Sequence, residues 1–454
     1  MKVTLGQRVN QWLERAGASH AVRYSVLTQA WLALIGPVTI LVIARQLEPT
    51  AQGFYYTFSS LLGLQVVFEL GLATVIVQTA SHEWAHLHRE PEGRIGGADR
   101  ALSRLASLGR FSVGWYAIAA VLFVGLLLAG GHFYFSAKAS EHTGLWQNPW
   151  MLLTVVMGLQ LLIQPLFSLI EGCNQVGSLY GIRLVQAIAA SLGIIGALAA
   201  GWGLYALVLG AGLRLLIGVW WLSFRQRDFC LLVLTYRSST GIDWQRDIWP
   251  FQWRIAISWL SGYIVFSLIT PVMFHFHGPV LAGQMGMSLV IVGAIESVAC
   301  AWLNTRSPQF GILVAQGNYR VLDEMFRRAL QTSLGLAALG ALGAWAGVLL
   351  LQGFHPDYAA RLLPLLPLGL LIVYRVTNIS LTGMALYLRA HKREPLMGVS
   401  LVNALLVGLV LSTCGRAYGP TGAIAGSLVV TLVWTLPAGY RVFRRCRAEW
   451  HHTI

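Results

Sequence analysis

The chain has 454 residues, of which 56% are hydrophobic and 11% charged, with a mean hydropathy of +0.63. Soluble domains carry about 25% charged residues, so a water-soluble globule is excluded. The net charge of +14 would suggest nucleic acid in a soluble protein, but the basic residues lie between apolar runs and form no single patch. That distribution belongs to a membrane protein, so no nucleic-acid partner is expected.

The first 23 residues, with Lys2, Arg8, Glu14, Arg15 and Arg23, are polar to amphipathic. They lack the apolar core and small-residue site of a cleavable signal peptide, so insertion is expected to rely on the first span. Apolar runs between charged or Pro/Gly breaks then predict about twelve spans: 24–44, 54–79, 111–131, 149–171, 177–200, 203–223, 251–275, 280–304, 329–352, 361–388, 395–414 and 419–440. Each can hold the roughly 20 residues that cross a bilayer as helix. The fifth and sixth are separated only by Ala200-Gly201-Trp202-Gly203. No β-barrel alternation is present, and the expected fold class is an all-α polytopic membrane protein.

Arginine and lysine set the orientation, because cytoplasmic loops retain them. With the N-terminus inside, 25 of the 32 lie in inside segments, whereas the outside loops hold only Arg45, Lys138, Arg361 and Arg416. Both termini are therefore expected in the cytoplasm. Three further arginines, Arg183, Arg214 and Arg375, fall within spans.

Two places in the chain echo each other. Pro49-Thr50-Ala51-Gln52-Gly53 precedes the second span and Pro279-Val280-Leu281-Ala282-Gly283 precedes the eighth. The shift of 230 residues covers six spans, an even number, which implies parallel repeats about an axis along the membrane normal. The expected organisation is an N-terminal segment (1–23), an N-lobe of six spans (24–223), a cytoplasmic linker (224–250), a C-lobe of six spans (251–440) and a basic cytoplasmic tail (441–454).

Some features argue for little. The five cysteines are scattered without a CxxC pair, so they read as packing residues. His82-Glu83-Trp84-Ala85-His86 matches the HExxH pattern of zinc proteases, but Pro91 cuts any helix short and no third ligand stands in a motif context. The expectation is a solvated interfacial helix, with no metal and no cofactor. His275 and His277 read as surface residues at the outer mouth. Of the seventeen tryptophans, Trp146, Trp150, Trp249, Trp253 and Trp259 lie near span ends, where amphipathic rings favour the interface.

The text around the second span, Ala44-Arg45-Gln46-Leu47-Glu48-Pro49, Gly53-Phe54-Tyr55-Tyr56 and Phe68-Glu69-Leu70-Gly71-Leu72, resembles the polysaccharide and oligosaccharide-lipid flippases of the multidrug/oligosaccharidyl-lipid/polysaccharide exporter superfamily. Arg306-Ser307-Pro308-Gln309-Phe310, Gly317-Asn318 and Arg327-Arg328-Ala329-Leu330 resemble the corresponding second-half text, and Glu69 stands where that family often has aspartate. The resemblance implies two six-helix lobes around a central cavity that opens alternately inward and outward. It also implies a bacterial inner membrane location, a lipid-linked saccharide as cargo, and no catalysis.

Ionisable groups at membrane depth cost roughly 2.5–3.5 kcal/mol each on insertion scales, so they face a partner or a wet cavity. The candidates are Glu69, Glu171, Arg183, Arg214, Glu296 and Arg375. An arginine fork matches phosphate oxygens, which makes Arg183, Arg214 and Arg375, with Arg254 behind them, candidates for a diphosphate headgroup. Structural pairing with a carboxylate such as Glu171 is the alternative. Glu69 and Glu296 are candidates for a coupling H+ or Na+, since a desolvated carboxylate can exchange a proton near neutral pH; pairing with arginine is again the alternative. The functional expectation is a transporter that flips a lipid-linked oligosaccharide between leaflets, its partners being that cargo and the membrane lipids. The rivals are a multidrug or cation antiporter of the same superfamily, a membrane-embedded polysaccharide-assembly enzyme, and a scaffold.

Overall fold

A computed structural model describes residues 20–89, 95–236, 243–244, 249–391 and 393–451. Helix dominates, as a bilayer requires, because a chain in hydrocarbon must satisfy every backbone group internally. In chain order the helices are α1 (His20–Gln46), α2 (Pro49–Leu62), α3 (Gln65–Glu69) and α4 (Leu72–Trp84). A two-stranded antiparallel hairpin, β1 (Leu87–Arg89) with β2 (Ile95–Gly97), follows. Then come α5 (Asp99–Ala139), α6 (Thr143–Gly172), α7 (Val176–Ala199), α8 (Tyr205–Trp220), α9 (Arg227–Thr235), α10 (Trp249–Phe266) and α11 (Ile269–His277). The last are α12 (Pro279–Ala315), α13 (Tyr319–Phe354), α14 (Pro356–Ala359), α15 (Leu365–Ala390), α16 (Met397–Val430) and α17 (Leu436–His451).

Every predicted span finds a helix, and the departures have local causes. The second span is broken: Leu70 and Gly71 adopt φ of 48° and 69° between α3 and α4, a left-handed step that glycine takes freely and leucine does not. The seventh is bent by 42° between α10 and α11. Helix α5 runs well beyond its apolar stretch at both ends, and only a short 3-10 turn at Ser140–His142 separates it from α6.

Nine described helical runs are long and apolar enough to cross a membrane, and two bent pairs would each add a span. One of the nine, Met397–Trp450, holds two spans, because Gly419 breaks the helical path with φ 60° and ψ −146° just before Pro420. The chain then doubles back. A Cβ on Gly426 would lie 2.4 Å from Val410 Cγ1, and Thr435 Oγ1 donates to Asn403 Oδ1 at 2.6 Å. Counted that way, the described residues hold up to twelve helical runs long and apolar enough to cross a membrane.

The chain divides into two compact units. Unit 1 comprises the described residues up to Gln46 together with Gln65–Ala256; unit 2 comprises Leu47–Leu64 and the described residues from Ile257 onward. In unit 1, α5 packs on α6, α7 on α8, and α1 on α7. Trp146 and Trp150 are 1% exposed, set against Phe135, with Trp150 Nε1 donating to Leu127 O at 3.0 Å. These two rings are core and not interfacial belt, because Gly131 leaves space that a Cβ would close at 2.2 Å from Trp150 Nε1. Trp249, Trp253 and Trp259 are exposed.

In unit 2 the two Pro-x-x-x-Gly segments lie against each other. A Cβ on Gly53 would sit 1.9 Å from Pro279 O, and one on Gly283 would sit 2.9 Å from Gly53 N. Small residues let helix backbones approach this closely. Gln52, 1% exposed, donates from Nε2 to Gly283 O at 3.0 Å and to Arg361 O at 3.1 Å.

Candidate functional site

The ionisable groups at depth fall into distinct settings. In unit 1, Glu171 ends α6 and Arg183 lies in the second turn of α7, across a tight connection in which Asn174 takes φ 57°. Arg183 Nη2 meets Glu171 Oε2 at 3.2 Å, and the guanidinium also lies over the Tyr180 ring at 5.4 Å. Both side chains are partly accessible, which leaves the pair open to exchange.

Arg214 differs. It sits in the middle of α8, its side chain reaches the surface of the unit, and among the described residues it forms no ion pair. Its helix is braced from both sides. Gln186 Nε2 of α7 donates to Arg214 O at 2.7 Å, and Gln160 Nε2 of α6 donates to Ala211 O at 2.7 Å. Gly218, one turn on, admits the Gln186 amide, since a Cβ there would stand 3.0 Å from its Nε2. On α6, Gln160, Gln164, Ser168 and Glu171 recur at four, four and three residues, a polar stripe along one helix face.

Glu69 closes α3 immediately before the break at Leu70 and Gly71. It is 8% exposed, and Gln65 Nε2 donates to its Oε1 at 2.7 Å. Fully buried Tyr116 of α5 lies beside it. In unit 2, Arg375 of α15 and Glu296 of α12 form one pair, Nη1 to Oε2 at 2.9 Å, with side chains 12% and 17% exposed. The Arg375 guanidinium also lies 5.0 Å from the Phe266 ring. Arg254 belongs to α10, and its side chain lies outside the described residues.

Two residues to which the sequence reading gave separate roles, Arg375 and Glu296, are thus partners. The HExxH text is the last turn of α4, which ends at Trp84 with Ala85 as its cap, and its Glu83 Oε1 pairs with Arg104 Nε at 2.6 Å. Among the described residues no three His, Cys, Asp or Glu side chains converge as metal ligands. His277, exposed at the end of α11, has a ring nitrogen 2.8 Å from Gly415 O. Gln160, Gln186 and Gln52 escaped the sequence reading because uncharged amides give no burial alarm. The periodic stripe on α6 and the amide within the first Pro-x-x-x-Gly were the signals for Gln160 and Gln52.

No family model and no curated protein matches the sequence. Solved structures do. An inward-facing multidrug resistance MATE family transporter of the MOP superfamily aligns at 15% identity and TM-score 0.58, covering 91% of this chain and 99% of that one. The lipid II flippase MurJ in an inward closed conformation aligns at 12% identity and TM-score 0.64, over 94% of this chain and 90% of that one. A MOP superfamily transporter from Pyrococcus furiosus aligns at 15% identity and TM-score 0.57, over 96% of each chain. Likeness at such identities concerns architecture, and this chain, helical in two units, shares its fold with these solved structures.

Proposed function

We propose that this protein is a transporter that flips a lipid-linked oligosaccharide from the cytoplasmic to the outer leaflet of a bacterial inner membrane by alternating access. The observation that carries this reading is Arg214, a cation in the middle of a span that no carboxylate neutralises among the described residues. Such a residue calls for an anionic ligand or water, and a diphosphate headgroup supplies the anion with oxygens that fit the guanidinium fork.

Arg183 in unit 1 and Arg375 in unit 2 are each a further candidate for a phosphate ligand by exchange. A phosphate oxygen replaces Glu171 on Arg183, or Glu296 on Arg375, and the carboxylate so released becomes free to take up a coupling H+ or Na+. Glu69, beside the break in the second span, is the other ion site. Arg254 serves as an accessory cation. The solved lipid II flippase MurJ is one of the architectural neighbours, which agrees with a lipid-linked cargo.

The second reading, an antiporter of amphiphilic cations, draws on the multidrug resistance neighbours. A cationic cargo needs unneutralised carboxylates, yet Glu171 and Glu296 are both engaged by arginine, which leaves it Glu69 alone, held by the Gln65 amide.

A leaflet-specific assay of lipid-linked oligosaccharide in cells depleted of the protein tests the choice. Accumulation on the cytoplasmic face, relieved by wild type and not by an inserted Arg214→Glu variant, is the expected outcome. An unchanged leaflet distribution on depletion would move the weight to the antiporter.

A further inference from the structure

The end of unit 2 where α13 begins and α17 finishes carries more cations than its carboxylates neutralise. Each carboxylate described there is paired: Asp323 with Arg447, Glu324 with Arg328, Glu394 with Arg389 at 2.6 Å and Glu449 with Arg445 at 2.6 Å. Arg320, Arg327, Arg393, Arg441 and Arg444 are exposed, and among the described residues none of these five shares an ion pair. Arg393 lies over the Trp450 ring at 5.3 Å and Arg444 over Tyr440 at 5.9 Å.

Their depth follows from the runs they adjoin. Helix α13 has no charged residue from Ala329 to Phe354, and the last span has none from Pro420 to Tyr440. About 20 helical residues cross the hydrocarbon, so Arg327 and Arg441 stand two residues and one residue beyond the end of an apolar crossing, at headgroup depth. The two ends are held together. Phe443 and Cys446 of α17 pack with Leu322 and Phe326 of α13 and with Tyr387 and Leu388 of α15. Tyr387 Oη donates to Asp323 Oδ1 at 2.6 Å, and Arg447 engages the other oxygen.

This packing also aims the cations. Around α17, Phe443, Cys446 and Trp450 share the docked face, which leaves Tyr440, Arg441 and Arg444 on the opposite one. A helix with a packed apolar side and a basic aromatic side at the bilayer boundary is suited to lie among headgroups.

We propose that this end of unit 2 is a docking surface for anionic phospholipid headgroups, with Arg320, Arg327, Arg441 and Arg444 each placed to take a phosphate oxygen. A lipid is the occupant that fits, because the cations border apolar crossings and already stand at headgroup depth. Guanidinium forks match phosphate oxygens, and an exposed arginine near such a surface attracts anionic lipid. The site is independent of the cargo and of the direction of transport.

The test uses the full chain in neutral detergent with phosphatidylglycerol or phosphatidylcholine added as mixed micelles, the bound lipid being counted by native mass spectrometry. Wild type is expected to retain phosphatidylglycerol preferentially. The combined Arg320→Gln, Arg327→Gln, Arg441→Gln and Arg444→Gln variant should lose that preference, at about fivefold per arginine removed, and the matching lysine variant should keep most of it. High salt should weaken the preference in wild type. Equal retention of the two lipids by wild type overturns the proposal, as does unchanged phosphatidylglycerol retention in a folded glutamine variant. If that variant does not fold, a wild-type preference insensitive to salt overturns it instead.

Discussion

Arg375 and Glu296 illustrate why a charge at membrane depth has no fixed meaning until its neighbour is known. Each alone would cost roughly 2.5–3.5 kcal/mol to insert, and together, 2.9 Å apart, they offset most of that. Arg375→Met should therefore destabilise by about 3 kcal/mol, because it strands a buried carboxylate. The Arg375→Met, Glu296→Gln double variant should recover most of the loss in melting temperature. Equal melting temperatures for the single and double variants would show that the pair is not the stabilising unit. Arg214 should behave in the opposite way. With no carboxylate to strand, Arg214→Met is expected to keep the melting temperature within a few degrees while abolishing transport. Gln186→Met, which removes a hydrogen bond to the Arg214 carbonyl, should cost about 0.6 kcal/mol and reduce transport less than Arg214→Met. The sequence marks Arg214, Glu296 and Arg375 as lying at depth. It does not reveal the pairing, since residues 296 and 375 meet only through the packing of α12 on α15.

Among the elements, the second span shows how one predicted helix becomes three. Its apolar run reads as continuous, yet the chain leaves helical geometry at Leu70 and Gly71 beside the buried carboxylate of Glu69. Periodicity registers such a break weakly because apolar residues continue on both sides of it. Pro-x-x-x-Gly at 49 and at 279 is legible as an echo, and the two glycines lie where the helices meet. Gly53→Ala should be severe, about 2 kcal/mol or more, since its Cβ would meet backbone of Pro279 at 1.9 Å with nothing flexible to move. Gly347→Ala on α13 meets nothing within 4 Å and should be neutral or slightly stabilising through helix propensity. Fluorescence-detected size-exclusion of fusion proteins compares the two; equal yields of monodisperse protein would contradict the close approach.

For the whole molecule, the charge bias fixes an expectation that labelling can check. In a variant whose five cysteines are replaced by alanine, Trp202→Cys should react with an impermeant maleimide added to intact cells, and Arg393→Cys should not. The reverse pattern would invert the orientation assigned from arginine and lysine. None of the five cysteines is in a disulfide, and Cys173, Cys300 and Cys446 are buried, so their replacement removes packing alone. The sequence by itself determined the all-α polytopic class and where the long apolar helical runs lie, because the bilayer imposes local rules of length, polarity and charge that each segment obeys separately. Only the tertiary structure decided that residues 47–64 group with unit 2, that Trp146 and Trp150 are core, and that Glu171 and Glu296 are taken by arginines while Arg214 has no ion pair among the described residues. Those outcomes depend on which helix faces pack together, and that choice rests on contacts between residues far apart in the chain.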